Sequence, residues 1–193
     1  PQLLGGILQV FALSALRLVK DRKLLVIAGS LFHALTWLPI IALLVWPGEL
    51  SVPAIIFFFS LGAGVSLMIN PAWTSWVADI VQENERAGFF ANRNKMMQVM
   101  LFAATFGGGL LVRQLQMNYA AALAFGMVFC VAFLARLASV VYHARTANVP
   151  YELKLMNEIQ IKHLFLLPAY KNELWFLAFV ALMNFAVQFS SPF

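Results

Sequence analysis

Charge is scarce in this chain. Lys, Arg, Asp and Glu together make up 11% of its 193 residues, against about 25% in a soluble domain. Carboxylates are the scarcer sign, eight against thirteen basic residues, and none falls well inside an apolar run. That removes from this stretch the embedded acid that usually carries protons in a coupled transporter. No His/Glu or Asp cluster for metal hydrolysis and no Ser/His pairing for acyl transfer is present either. The chain therefore reads as neither an enzyme nor a holder of metal or cofactor. Cysteine is nearly absent. Cys130 cannot form an internal disulfide, and no CxxC or Cys/His spacing offers a metal site. It reads as a small packed hydrophobe. The opening stretch is not expected to be a signal peptide, since it is directly apolar with no basic leader and no small-residue cleavage site. It opens without Met at Pro1 and closes at Phe193 within an apolar run, so it is expected to be part of something longer.

Apolar residues fill the space that charge leaves. They make up 62% of the chain, with eighteen Phe, five Trp and a mean hydropathy of +0.83. A globule of this size has too little interior for so much apolar surface, which points to a membrane. Charge-free stretches cover 1–16, 24–48, 50–78, 96–112, 114–135 and 174–193. A bilayer core takes about 20 apolar residues per helix. The expected spans are therefore 1–19, 24–46, 52–79, 96–116, 118–141 and 173–193. Lipid allows only helices or closed barrels, and "LLVIAGSLFHALTWLPIIALLVW" is apolar on both parities, unlike an alternating barrel strand. The expected fold class is all-α, a polytopic membrane bundle with six transmembrane helices.

The basic residues orient it. Loops 17–23, 80–95 and 143–172 carry eleven of the thirteen, whereas the two opposite loops carry only Arg113. The first set therefore faces the cytoplasm, and the net charge of +5 reads as a topology signal with no nucleic-acid partner. Within 143–172, "YELKLMNEIQIKHLFLLP" offers an amphipathic pattern for a helix at the membrane surface, or a solvated linker.

Polar groups inside the spans are few: His33, Arg136, and neutral residues such as Ser60, Ser66, Gln98 and Thr105. Asn70-Pro71 stands out. Pro71 removes an amide donor and crowds the carbonyl of Leu67, loosening the helix. Asn70, Trp73, Thr74 and Val77 share one face by helical spacing, either as a lined pathway or as a packing kink with Trp73 and Trp76 as interfacial anchors. Gly107, Gly108 and Gly109 flatten a helix for close packing. Arg136, a few residues from a helix end, either snorkels to the interface or pairs with Asp79 or a loop carboxylate.

On these residues the chain resembles the bacterial side of the major facilitator superfamily. "PAWTSWVADIVQENERAGFFANRN" is similar to the family's fourth helix end and following turn, with the match on Pro71, Trp76, Asp79, Arg86, Phe89, Phe90, Arg93 and Asn94. "PQLLGGILQVFALSALRLVKDRKLLVIAGSLFHALTWL" resembles the second and third helices, and "NELWFLAFVALMNFAVQFSSPF" a seventh. The resemblance implies helices two to seven of a twelve-helix, two-half transporter. Residues 1–142 would be a partial first half, 143–172 the cytoplasmic link and 173–193 the first helix of the second half. It implies a secondary transporter of the inner membrane, moving a small solute by alternating access, with the substrate and any proton or sodium coupling unspecified. Pathway candidates by this analogy are Gln9, Asn70, Trp73, Thr74, Gln98, Thr105, Asn184 and Gln188, and the missing helices of the same chain complete the cavity. Asp79, Arg86, Arg93 and Arg136 form the expected cytoplasmic charge cluster, whose Asp79 biases one conformation with little effect on folding. The chain departs from the family at the 17–23 loop, where Lys20 stands in place of glycine and Arg17 near the expected acid. The family's charge lock is therefore not expected there. The alternatives are a six-helix channel or small permease, or a membrane assembly protein without transport.

Overall fold

The computed structural model describes residues 12–46, 48, 51–149 and 171–190. These fall into two units, Pro1–Tyr151 and Glu152–Phe193. The described residues of the first unit form six α-helices: α1 (Ala12–Val19), α2 (Arg22–Leu35), α3 (Trp37–Val45), α4 (Ser51–Ile80), α5 (Arg86–Gln116) and α6 (Ala121–Arg145). A single 3₁₀ turn, Glu83–Glu85, links α4 to α5. The second unit contributes α7, Lys171–Ser190. The described structure is thus all-helical, and four stretches, Arg22–Val45, Ser51–Ile80, Glu83–Gln116 and Ala121–Arg145, are long and apolar enough to cross a membrane.

These four coincide with the second to fifth expected spans. The first and sixth expected spans are described only in part. Only the eight residues of α1 are described in the first, about 12 Å of helix. Of the sixth, the described part is the helix α7, Lys171–Ser190. The amphipathic segment expected within 143–172 lies outside the described residues beyond Val149.

Two boundaries differ from the sequence expectation. The second span is interrupted at Thr36, where α2 passes to α3. Pro39 lacks the N–H that would reach back to Leu35, and the Thr36 hydroxyl donates to the His33 carbonyl at 2.7 Å. The helix that contains the fourth expected span begins at Arg86, ten residues ahead of 96. Arg, Asn and Lys are compatible with a helix, so the charged stretch 86–95 is helix and not loop. Pro71 sits inside α4, which continues to Ile80. The nearby Thr74 hydroxyl donates to the Asn70 carbonyl at 2.9 Å, not to the carbonyl of Leu67.

The core lies where α1, α2 and α4 meet. Leu16, Leu25, Val26, Ile69, Ala72 and Trp76 bury one another there. Trp76 is fully buried, and its indole N–H donates to the Ala147 carbonyl at 3.1 Å. It is therefore a core residue and not an interfacial anchor, since a buried indole needs an acceptor and the turn after α6 supplies one. The tightest approach is between α2 and α4. A Cβ on Gly29 would meet the Ile69 side chain, and one on Gly62 would meet Thr36 and His33. The expected close packing at Gly107, Gly108 and Gly109 does not appear, because nothing described lies within 4 Å of a Cβ at those positions.

Elsewhere the surface is apolar. No residue of α5 is buried, and Phe102 and Leu134 are 74% and 61% exposed. Cys130, expected to be packed, is exposed beside Val131. Outward apolar side chains of this kind match a helix whose surroundings are lipid.

At the α1–α2 turn, Lys20 adopts a left-handed backbone with φ 56°. That is the conformation glycine supplies without steric cost, so the loop keeps the turn although the residue differs. Asp21 then caps α2, accepting from the Leu24 N–H at 3.2 Å.

Two predictions follow from this packing. Gly29→Leu and Gly62→Leu each lower the melting temperature in detergent, by overpacking worth about 1–3 kcal/mol, whereas Gly108→Ala does not. Lys20→Gly leaves stability unchanged or raises it by up to about 1 kcal/mol, while Lys20→Val lowers it. Thermal unfolding by intrinsic fluorescence checks both.

Candidate functional site

Polar groups on α2, α4, α5 and α6 converge on one partly open cavity of about 360 Å³. Each helix contributes through its own periodicity. Arg22, Val26, Gly29, Ser30 and His33 form a stripe on α2 at helical spacing, and all but His33 are buried. Ser66, Asn70 and Trp73 follow one another on α4 at i, i+4 and i+7, as do Arg93 and Met97 on α5 and Arg136 and His143 on α6. Val26, Ser30, Ser66, Ile69, Asn70, Trp73, Arg93, Met97, Arg136 and His143 line the result.

Among the described residues its charge is entirely of one sign. Arg136 Nη2 donates to Ser66 Oγ at 3.3 Å. The guanidinium is half-buried and turned toward α4 rather than snorkelling outward. The Arg93 guanidinium lies 4.4 Å from the centre of the Trp73 ring, a cation–π contact, and donates to Asn94 Oδ1 at 3.3 Å. His143 shares a 3.3 Å hydrogen bond with Ser139 and meets the edge of Trp76. Ser30 Oγ and Arg136 Nε are buried with no hydrogen-bond partner among the described residues.

A second cavity of about 340 Å³ lies against the first, lined by His33, Thr36, Trp37, Ile40, Phe59, Ala63, Ser66 and Leu67. It is largely aromatic: His33 stacks on Trp37 with ring centres 6.1 Å apart, and Trp37 also contacts Phe59 and Phe129. Ser66 belongs to both linings.

At one end of the bundle, Arg22 forms an ion pair with Asp79 at 2.7 Å. It also donates to Ser75 Oγ at 2.7 Å. Arg22 is 2% exposed and Asp79 43%. The same end is tied by Asn148, whose amide donates to Asp21 Oδ2 at 3.1 Å.

The expected charge cluster is therefore distributed differently. Asp79 takes Arg22 as its partner. Arg86 donates to the Val81 carbonyl at 3.2 Å and closes its own turn. Arg93 and Arg136 face the cavity instead. An ion pair does form at the end of the α1–α2 turn, through Arg22, although the turn departs from the expected pattern. Of the pathway candidates, Asn70 and Trp73 line the cavity. Thr74 and Thr105 spend their hydroxyls on carbonyls one turn back, and neither they nor Gln98 line it. Gln9 lies outside the described residues, as do the side chains of Asn184 and Gln188. Ser30 and Arg22 were not singled out from sequence, although their shared α2 stripe with Val26 was there to be read.

The geometry defines a helical bundle of membrane-spanning length with a cationic cavity between its helices. No protein-family model, curated protein or solved structure matches the chain, so its chemistry rests on these residues.

One prediction follows from the ion pair. Asp79→Asn lowers stability by about 1–2 kcal/mol, less than for a fully buried pair because Asp79 is half-exposed. In an Arg22→Gln background the same substitution costs little. A double-mutant cycle on thermal unfolding measures this coupling, and independence of the two substitutions overturns it.

Proposed function

We propose that this chain is part of a secondary transporter that moves a small solute across a membrane by alternating access. The observation that carries the reading is the cavity between α2, α4, α5 and α6. It combines an amide, hydroxyls, an aromatic face and two guanidiniums within helices long and apolar enough to span a bilayer. Intramembrane groups of this kind are costly in lipid and mark solute pathways. The Arg22–Asp79 pair supports the reading further. It joins the start of α2 to the end of α4 by a bond that one conformation makes and another can release. The resemblance to the major facilitator superfamily supplies the larger frame, twelve helices in two halves, and the basic residues of 17–23, 80–95 and 143–172 favour the cytoplasmic side of the plasma membrane for those segments.

The transport reading is tested on the full-length protein in proteoliposomes, with a panel of labelled organic solutes and with currents under imposed proton and sodium gradients. A saturable, solute-specific flux is expected, reduced at least about tenfold by Trp73→Ala, as for loss of an aromatic anchor. Asp79→Asn is expected to change cysteine labelling on both faces of the membrane. Absence of flux and of solute-dependent stabilisation across the panel supports the assembly-protein reading instead. A conductance that does not saturate supports a channel.

A further inference from the structure

We propose that the cavity between α2, α4, α5 and α6 is a binding site for a phosphate-class oxyanion, held by Arg93 and Arg136. Ser30 and Asn70 would supply neutral hydrogen bonds. The inference does not depend on the transport reading, because it concerns occupancy and not movement.

Charge balance is the first argument. Both guanidiniums line the cavity, and among the described residues no carboxylate does. Among the described residues, Arg93 contacts the face of Trp73 and an amide oxygen, and Arg136 contacts the Ser66 hydroxyl. These partners are neutral. The described carboxylates nearest in role are engaged elsewhere: Asp79 with Arg22, and Asp21 with the α2 N-terminus and Asn148. Two guanidiniums that line one cavity in a low-dielectric setting lose hydration, and a doubly accepting anion between them offsets that desolvation.

The second argument is the unused hydrogen-bonding capacity. Ser30 is 1% exposed, yet among the described residues its Oγ has no partner, and the buried Arg136 Nε has none either. Buried polar groups are ordinarily satisfied, so two such groups in the lining of one cavity point to a ligand that accepts from both. A guanidinium presents a planar fork of donors that matches the oxygens of phosphate. Trp73 holds the Arg93 fork in place from below, which lowers the entropy lost on binding.

Depth supplies the third argument. Arg93 lies seven residues from the start of α5, Trp73 seven from the end of α4, Ser30 eight from the start of α2 and Arg136 nine from the end of α6. At a rise of about 1.5 Å per residue, all four lie roughly 10–14 Å from the same end of the bundle. A helix of α4's length is about 45 Å long, so centred in a core of about 30 Å it projects roughly 7 Å at each side. The cavity therefore sits just beneath the headgroup layer. An anionic lipid phosphate reaches it from the bilayer, and a soluble phosphate or phosphate monoester reaches it from the water.

The test uses the full-length protein, delipidated in a neutral detergent. Binding is read by thermal shift and by titration with inorganic phosphate, and separately with lipid nanodiscs of phosphatidylglycerol or of phosphatidylcholine alone. Wild type is expected to be stabilised by at least one anionic probe relative to chloride or phosphatidylcholine. Arg93→Gln and Arg136→Gln are each expected to weaken that binding at least about tenfold, the loss expected for a charge-assisted contact. Ser30→Ala preserves the helix and removes only the hydroxyl. It is expected to weaken binding severalfold, which keeps the test decisive if an arginine variant does not fold. Arg86→Gln, outside the cavity, is expected to leave binding unchanged. Stabilisation by inorganic phosphate assigns a soluble ligand, and stabilisation by phosphatidylglycerol alone assigns the lipid. The proposal is overturned if neither probe stabilises wild type. It is equally overturned if binding survives unchanged in the folded cavity variants, Ser30→Ala included, or falls equally in Arg86→Gln.

Discussion

Everything in the bundle is organised around how closely α2 and α4 approach. Gly29 faces Ile69 and Gly62 faces His33 and Thr36, so each glycine admits the other helix's side chains where a Cβ would collide. In an apolar surrounding there is little hydrophobic drive between helices, and close packing of small residues takes its place. With the two helices held this near, Arg22 reaches Asp79 and Ser75 across them. α6 then lies against both α2 and α3, and α5 against α6. The two cavities open where side chains at the flanks of this contact leave room, with Ser66 at their common edge.

The Arg22–Asp79 pair combines two demands that usually conflict. A guanidinium 2% exposed loses its hydration, yet Arg22 opens α2 beside a polar turn where the Asp79 carboxylate remains half in solvent. Burying one partner and not the other limits the desolvation cost while retaining an attraction that water does not fully screen. Trp76 and Ala72 pack alongside in the same core. The ion pair and the apolar core therefore lie side by side at this end of α2 and α4.

Much of the helical plan was legible in the sequence, because it depends on run length. Leu24–Trp46, Val52–Asp79 and the two later runs are long, apolar and punctuated by turn residues, and each appears as helix, the first of these broken at Thr36 and the third starting ten residues early at Arg86. Hydropathy marks where charge begins and not where a helix ends, so the charged turns of α5 from Arg86 to Lys95 were invisible to it. Side-chain partnership was less legible still. Counted as a loop cation, Arg22 signals orientation, but only the crossing of α2 over α4 shows that it faces Asp79. Trp76 and Arg136 were read by their distance from a helix end, whereas burial and bonding turn both inward. The cavity draws on four helices, and no single run of sequence contains it. Asn70 and Trp73 were identifiable because they share one helix face, while Ser30, Arg93 and Arg136 join them only through tertiary structure.

The turn after α6 has a mechanical meaning. The Ala147 carbonyl is fastened to the Trp76 indole and the Asn148 amide to Asp21, so the chain leaves α6 stitched to α4 at one residue and to the head of α2 at the next. Tension arriving along the backbone from the C-terminal side would not be spent in unwinding the end of α6. It would pass through two short, stiff attachments to the ends of the two helices that the Arg22–Asp79 pair joins. The described bundle thus ends, in the sense that matters for transmitting force, a few residues beyond its last helical turn, and its handle is built into the same knot as that ion pair.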